Sequence, residues 1–485
     1  MEVRTRFAPS PTGFMHVGNI RSALYTYLIA KKHEGTFILR IEDTDQNRYV
    51  EGAVEKIYKD LKNLGFIWQE GPDVGGDYGP YTQSERKPLY MEYAKKLIKS
   101  GHAYYCFCAQ ERLDDLRNKY AENNMTFMYD GICRGVDDTE ADERIKNGEA
   151  YVIRFKMPRT GTTSYDDVIY GKLTFKNSEL DDIILIKSDG LPTYNFANVV
   201  DDYTMKISHV VRGNEYISST PKYKLVYDAF GFEMPKIVHL PMVNKPDGSG
   251  KKLGKRDGDV TFDSLLDKGY LKEAIINFMA LLGWSPGGEN EIFSLKELEE
   301  NFSIDGISKS PAVYDQVKLN WMNGLYIRKE DIEYITELSI PFIVDAGFMT
   351  ERQVKEKREW IKKVVSAVRG NVEYLAQIPE HIGIFFGDTV TVENDEAKEV
   401  LIGEHVPTVL KAFKAKVENI DEVNEDFTKG VFKEIQNETG IKGKNLFMTI
   451  RVALTGQCHG PEMPEILQIL GKEMMIKRLK KAIKE

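Results

Sequence analysis

The sequence predicts an α/β fold: a parallel-sheet domain interrupted by an α+β insertion and followed by an all-helical C-terminal half. Three observations lead there. Strand and helix signals alternate over the first hundred residues, the alternation returns after a cysteine-bearing interruption, and strand signals fade beyond Thr261. With 485 residues, at about 150 per domain, the chain has room for about three domains with separate cores.

Val3 to Phe7 is a short β-prone run that ends in APSPTG, whose two prolines cannot continue a ladder or enter a helix interior. Ile20, Leu24, Tyr27 and Leu28 then recur at helical spacing, with Gly35 placed as a C-terminal stop. Thr36 to Ile41 is a second strand; Val54, Ile57, Tyr58, Leu61 and Leu64 mark a second helix ended by Gly65. Strand, helix, strand, helix is the order of a parallel α/β unit. From about Gly101 short runs such as Tyr151 to Phe155 and Ile183 to Ile186 replace it. The parallel pattern resumes with the segments Thr193 to Val200 and Ile207 to Val211, a helix over Thr220 to Phe230 and a strand over Ile237 to Val243. A loop rich in glycine and lysine follows at Asn244 to Asp259. Leu265, Ala274, Ile275, Phe278, Leu281 and Leu282 then open the helical half.

The chain carries 66 Lys and Arg against 75 Asp and Glu, a net charge of -9. Taken alone, that balance argues against a surface that binds polyanions indiscriminately, and against a nucleic-acid partner. One local exception is the segment from Gly440 to Glu485, where nine basic residues face four Glu, a surplus of about +5. No run of eighteen apolar residues exists to span a membrane, and the N-terminus lacks a secretory h-region. Four cysteines are too few for a disulfide scaffold and fit a reducing compartment, so a cytoplasmic location is expected.

Two segments carry candidate chemistry. In RFAPSPTGFMHVGN, Arg6 to Asn19, a strand delivers the chain to a rigid turn, and His16-Val17-Gly18-Asn19 opens a helix. A helix N-terminus presents unpaired N–H groups and the positive end of its dipole, a natural seat for phosphate. Gly18 leaves room for a flat base or ribose, and His16 can donate to a phosphate as its charge reorganises. By itself, His-x-Gly reads equally as a turn with a capping histidine. In KKLGKR, Lys251 to Arg256, three lysines and an arginine flanked by glycines can close over a triphosphate. A solvated charge run is the plainer reading of that loop alone. A third cluster, Cys106-x-Cys108 with Cys133 twenty-five residues on, can close a tetrahedral zinc site with one more ligand, or be three buried thiols.

Together the first two segments resemble the paired signatures of the class I aminoacyl-tRNA synthetases. PSPTGxxHVGN, RIEDTD at Arg40 to Asp45, GPYxQSER at Gly79 to Arg86, LPTYNFANVVDD at Leu191 to Asp202 and the KLxKR loop are similar, in the same order, to bacterial glutamyl-tRNA synthetase. WMNGLYI at Trp321 to Ile327 and GKNLFMTIRVALTG at Gly443 to Gly456 extend the likeness into the helical half.

The resemblance implies a Rossmann-type catalytic domain over 1–92 and 196–250. It further implies an acceptor-binding insertion over 93–195, a stem-contact domain with the KLGKR loop over 251–335, and helical anticodon-binding domains over 336–485. It implies that L-glutamate and ATP, the latter as its Mg²⁺ complex, give glutamyl-adenylate and pyrophosphate, and that the glutamyl group passes to the terminal ribose of tRNA(Glu). Some members also charge tRNA(Gln), and a monomer is the expected state. By match to the family, His16, Gly18, Asn19 and Lys255 bind ATP, while His16, Lys252, Lys255 and Arg256 serve catalysis. Where the family's loop usually has Ser, this chain has Gly254, which shifts weight onto Lys255.

Glutamate brings two carboxylates and one ammonium, so its pocket needs two cationic points and one carboxylate. Arg6, Arg212 and Glu42, on motifs that match the family's amino-acid site, supply that set, and Ser10, Tyr194 and Asn198 match further contacts. The resemblance also offers Tyr129, four residues before Cys133, as a fourth zinc ligand; Gly135 stands where a His ligand would otherwise be sought. Four rivals are weaker. A glutaminyl-tRNA synthetase has a β-barrel second half, and the short relative that glutamylates a tRNA base lacks the helical half. A retired paralogue would not keep His16, Glu42, Arg212 and Lys255, and a nucleotidylyltransferase would not need the amino-acid pocket.

Overall fold

The computed structural model describes residues 2–13, 15–254 and 261–483, so Lys255 and Arg256 of the lysine loop lie outside the described residues. By its internal contacts the chain divides into two units, one formed by 1–264 and 276–315, the other by 265–275 and 316–485.

In the first unit, β1 (Arg4–Phe7), α1 (Val17–Lys32), β2 (Thr36–Leu39) and α2 (Ala53–Asn63) follow the expected alternation. α1 is apolar and buried nearly all round, the expected Ile20, Leu24, Tyr27 and Leu28 together with Tyr25, Ile29 and Ala30. Its stop differs from expectation: the left-handed residue is Glu34, not Gly35. Gly35 is needed for another reason, since a Cβ there would lie 2.1 Å from the Val3 carbonyl oxygen. α3 (Lys87–Lys99) leads into a three-stranded antiparallel sheet of β3 (Ala103–Cys106), β4 (Val152–Phe155) and β7 (Ile184–Ile186). Helices α4 (Gln110–Glu122) and α5 (Asp138–Lys146) lie between β3 and β4 in the chain.

The hairpin of β5 (Thr162–Asp167) and β6 (Gly171–Lys176) falls within the stretch assigned to the insertion. Its pairing is instead with the central sheet, where Asp167 lies opposite Ile237. That sheet has the order β2-β1-β8-β9-β5-β6, with β8 (His209–Gly213) and β9 (Lys236–Leu240) between β1 and β5. The first five strands run parallel, and only the edge strand β6 is antiparallel.

Two segments depart from the sequence reading. Thr193 to Val200, expected to resume the parallel strands, is the start of a helix, α6 (Tyr194–Thr204), followed after β8 by α7 (Thr220–Phe230). Burial of Phe196, Ala197, Val199 and Val200 decides the outcome, since β-branched residues are tolerated in a helix whose face is packed. The strand expected over Ile237 to Val243 breaks at Pro241, leaving β9 and a two-residue β10 (Val243–Asn244) that pairs with β11 (Ala312–Val313).

Among its described residues the second unit is helical, as expected. In Arg358–Val368, Ile361, Val364, Val365 and Val368 recur at helical spacing and are buried. Caps close the ends: Asp331 accepts from Glu333 N and Tyr334 N, and Gly440 takes the left-handed turn after Glu425–Thr439. The basic surplus after Gly440 is partly internal, because Arg478 is buried and Lys481 pairs with Asp388. No helix of the described residues is long and apolar enough to cross a membrane.

Candidate active site

A cavity of about 680 Å³ opens at the carboxyl ends of β1, β2, β8 and β9, where parallel sheets commonly place ligands. Arg6, Ser10, Gly18 and Asn19 line it, as do His16, Glu42, Tyr194, Arg212 and Lys252. Asn198 is not among the lining residues: it is buried in α6, where its Nδ2 donates to the Tyr194 carbonyl 2.6 Å away.

The N-terminus of α1 is shaped by a reciprocal cap. His16 Nδ1 accepts from Gly18 N at 3.1 Å, and Asn19 Oδ1 accepts from His16 N at 3.3 Å. An imidazole that accepts at Nδ1 carries its proton on Nε2, which makes that nitrogen the ring's donor. The capping and ligand-binding readings of His16 are therefore compatible. Among the described residues a Cβ on Gly18 would meet only the His16 ring, at 3.4 Å.

Beneath the cavity lies a buried charge network whose members the sequence reading had only partly assigned. Arg6 grips Asp202 with Nε at 2.9 Å and Nη2 at 3.3 Å. Arg40, fully buried, donates from Nη1 to Asp202 at 2.7 Å and from Nη2 to Glu42 at 2.9 Å. Asp201 accepts from Arg86 Nε at 2.8 Å, Gln83 Nε2 at 2.8 Å and the Tyr90 hydroxyl at 2.8 Å. Burial would raise the Asp202 carboxyl, yet Arg6 and Arg40 hold it below its ordinary value. For Glu42 burial prevails, and its carboxyl is raised against the pull of Arg40 and Arg6. Three arginines thus face three carboxylates, drawn from β1 and from the motifs at residues 40–45, 79–86 and 191–202.

Arg212 stands apart. Its Nη2 donates to Thr220 Oγ1 at 3.0 Å, while Nε and Nη1, also buried, form no hydrogen bond of good geometry among the described residues. Its guanidinium lies 4.8 Å from the Tyr223 ring centre and 5.3 Å from that of Tyr216. A buried cation with donors unused inside a cavity is costly unless an anion comes to it. On the cavity rim, Lys252 Nζ pairs with Glu215 at 2.9 Å.

The Sγ atoms of Cys106, Cys108 and Cys133 lie within 4.8 Å of one another. The Tyr129 hydroxyl is 3.3 Å from the sulfurs of Cys106 and Cys108, so four donor atoms converge as a zinc site requires. A hydrogen bond from Cys133, opposed by burial, pulls the Cys106 thiol below its ordinary range. Arg154 Nε, 3.3 Å from Cys106 Sγ, favours a thiolate further.

Residues 2–321 match the family model described as tRNA synthetases class I (E and Q), catalytic domain, and residues 334–483 match the anticodon binding domain. The chain is 48% identical to a glutamate–tRNA ligase of Clostridioides difficile, over 99% of this chain and 98% of that protein. It is 47% identical to one of Alkaliphilus metalliredigens, over 98% of each. Among solved structures, it resembles a glutamate tRNA ligase of Elizabethkingia meningosepticum in complex with its amino acid, with a TM-score of 0.90 at 33% identity, covering 100% of this chain and 99% of that one.

Proposed function

The chain belongs to the class I tRNA synthetase family, among its glutamate–tRNA ligases, and from that premise we propose that it charges tRNA(Glu) in two steps in the cavity built above. In the first step a carboxylate oxygen of glutamate bonds to the α-phosphorus of ATP while the bond to pyrophosphate breaks. In the second a ribose hydroxyl of the tRNA terminus attacks the acyl carbon, and AMP departs. The substrate carboxylate is the nucleophile, so the protein's part is positioning and electrostatics.

His16, Gly18 and Asn19 receive the nucleotide at the positive end of α1. Lys252, Lys255 and Arg256 neutralise the departing pyrophosphate, to whose charge the Mg²⁺ that accompanies ATP would add its own screening. Arg212 takes the side-chain carboxylate, Glu42 the ammonium, and Arg6, Ser10 and Tyr194 complete the amino-acid pocket. The observation that carries this reading is Arg212: every arginine of the network below it is matched by a carboxylate, and its own Nε and Nη1 wait for one.

The division of labour follows the domain reading. Residues 1–92 and 196–250, with the hairpin β5–β6, carry catalysis, the rest of 93–195 holds the acceptor end, 251–335 meet the stem and 336–485 read the anticodon. Cys106, Cys108, Cys133 and Tyr129 would hold a zinc ion that cross-links the insertion. The enzyme acts as a cytoplasmic monomer.

Charging of purified tRNA(Glu) and tRNA(Gln), each with glutamate and with glutamine, tests the reading. We expect glutamate on tRNA(Glu), and exchange of pyrophosphate into ATP only when tRNA is present. Faster charging with glutamine would overturn the substrate assignment, and brisk exchange without tRNA would overturn tRNA-dependent activation. Glutamate on tRNA(Gln) would make the enzyme non-discriminating.

A further inference from the structure

We propose that Asp167 and His239 are positioning residues that act through the Thr220 hydroxyl to fix Arg212 for a side-chain carboxylate, and so help to choose glutamate over glutamine, an inference that rests on the reading of Arg212 given above. The four residues come from four elements, β5, β9, α7 and β8, and all are buried. What each side chain meets is therefore set by its protein neighbours.

The chain of contacts begins at Asp167. Its Oδ1 accepts from Ile169 N at 2.9 Å and Tyr170 N at 2.8 Å; its Oδ2 lies 3.3 Å from His239 N and 2.7 Å from His239 Nδ1. A carboxylate only accepts, so the proton of this short contact sits on Nδ1. Burial pushes the His239 imidazole below its ordinary value in spite of Asp167, which leaves the ring neutral with Nε2 as an acceptor. Nε2 lies 3.2 Å from Thr220 Oγ1, and the Tyr216 carbonyl lies 2.8 Å from the same oxygen. The hydroxyl proton is shared between those two acceptors, and a lone pair is turned to Arg212 Nη2 at 3.0 Å.

The order of these groups matters. An aspartate in direct contact with Arg212 would orient it but cancel its charge. Here the carboxylate stands two groups away, and the residues between it and the guanidinium are neutral. Among the described residues Arg212 forms no ion pair, so the guanidinium is held in place and keeps its full attraction for an anion. A carboxamide offers one acceptor oxygen and no charge, and gains far less from that site.

The test is tRNA charging with glutamate and ATP varied in turn, and with glutamine as competitor. Thr220→Val, close in shape but without the acceptor, should raise KM for glutamate about tenfold, the scale of one hydrogen bond to a charged group. The preference for glutamate over glutamine should fall by a like factor, with KM for ATP and kcat at saturating glutamate little moved. Thr220→Ser should restore both. His239→Asn, which keeps a donor near Asp167 but nothing at Nε2, should match Thr220→Val, and the double variant should be no worse than either alone. Unchanged glutamate KM and selectivity in Thr220→Val would overturn the relay; so would equal damage to kcat and to KM for ATP, the mark of a packing defect. Arg212→Gln separates the two readings. If it raises glutamate KM sharply while Thr220→Val does nothing, only the relay falls. If it too leaves glutamate KM unchanged, the assignment of Arg212 falls and the relay with it.

Discussion

Each of the two units buries an arginine almost completely, and the two are satisfied in opposite ways. Arg40, below the cavity, lies between Asp202 and Glu42. Arg478, in the helix Met463–Ile483, forms no ion pair with a carboxylate among the described residues; its guanidinium donates to the carbonyls of Ile384, Phe386, Gly387 and Leu454. Arg478 ties loops to a helix and takes up acceptors that would otherwise be buried unmet. Arg40 instead brings into one place carboxylates from motifs far apart in the chain, and it leaves them oriented beside the cavity. Arg212 differs from both: among the described residues it has neither a carboxylate nor enough carbonyls to use its donors, a state it shares on this cavity with Arg21, and Arg212 is the one on the motif that matches the amino-acid site.

That comparison can be broken, and the largest effect should come from Arg40→Met. It strands Glu42 and leaves Asp202 to Arg6 alone in a buried site, and should cost about 3–5 kcal/mol, seen as loss of stability in denaturant together with loss of charging. Arg478→Met leaves carbonyls without donors and should cost about 3 kcal/mol, with faster proteolysis near residues 384–387 and glutamate KM unchanged. Glutamate KM rising as much as stability falls would contradict the division between them. Smaller still is Arg154→Met beside the thiols: retention of zinc in competition with a chelator should weaken by about tenfold to a hundredfold, the usual weight of a residue that supports a ligand. Metal analysis that finds no zinc in the native protein would remove that site altogether. The smallest effect belongs to Glu215→Gln, which breaks an exposed pair with Lys252 and should change stability by less than about 1 kcal/mol.

Much of this organisation was legible in the sequence, and the misses share a cause. Helices α1 and α2 announce themselves by apolar spacing, and β1, β2, β8 and β9 by short β-prone runs. The hairpin β5–β6 was missed because TTSYDD is polar, its buried positions being Thr163, Tyr165 and Asp167, and nothing local says that an aspartate faces inward. The motifs at residues 40–45, 79–86 and 191–202 were noticed, but their joining into one charge network depends on pairs more than a hundred residues apart. The acid-rich ending VVDD was the available signal, since two adjacent aspartates closing an apolar helix face call for buried partners. Asn198 shows the converse limit. The match to the family offers it as a further contact to glutamate, whereas here its Nδ2 answers to the carbonyl four residues back. The lysine loop's own case, at Lys255 and Arg256, lies outside the described residues.

The most direct measurement is the glutamate-to-glutamine selectivity of Arg212→Gln in tRNA charging, taken with its melting temperature. If Arg212 is held for a substrate carboxylate, kcat/KM for glutamate falls at least about a hundredfold, as for a buried hydrogen-bonded charge pair that loses one partner. Selectivity then collapses, and the protein melts no lower than before, because an unmatched buried charge has been removed. Retained selectivity with a sharply lowered melting temperature would show instead that Arg212 is a structural cation like Arg40, and that the carboxylate is read elsewhere.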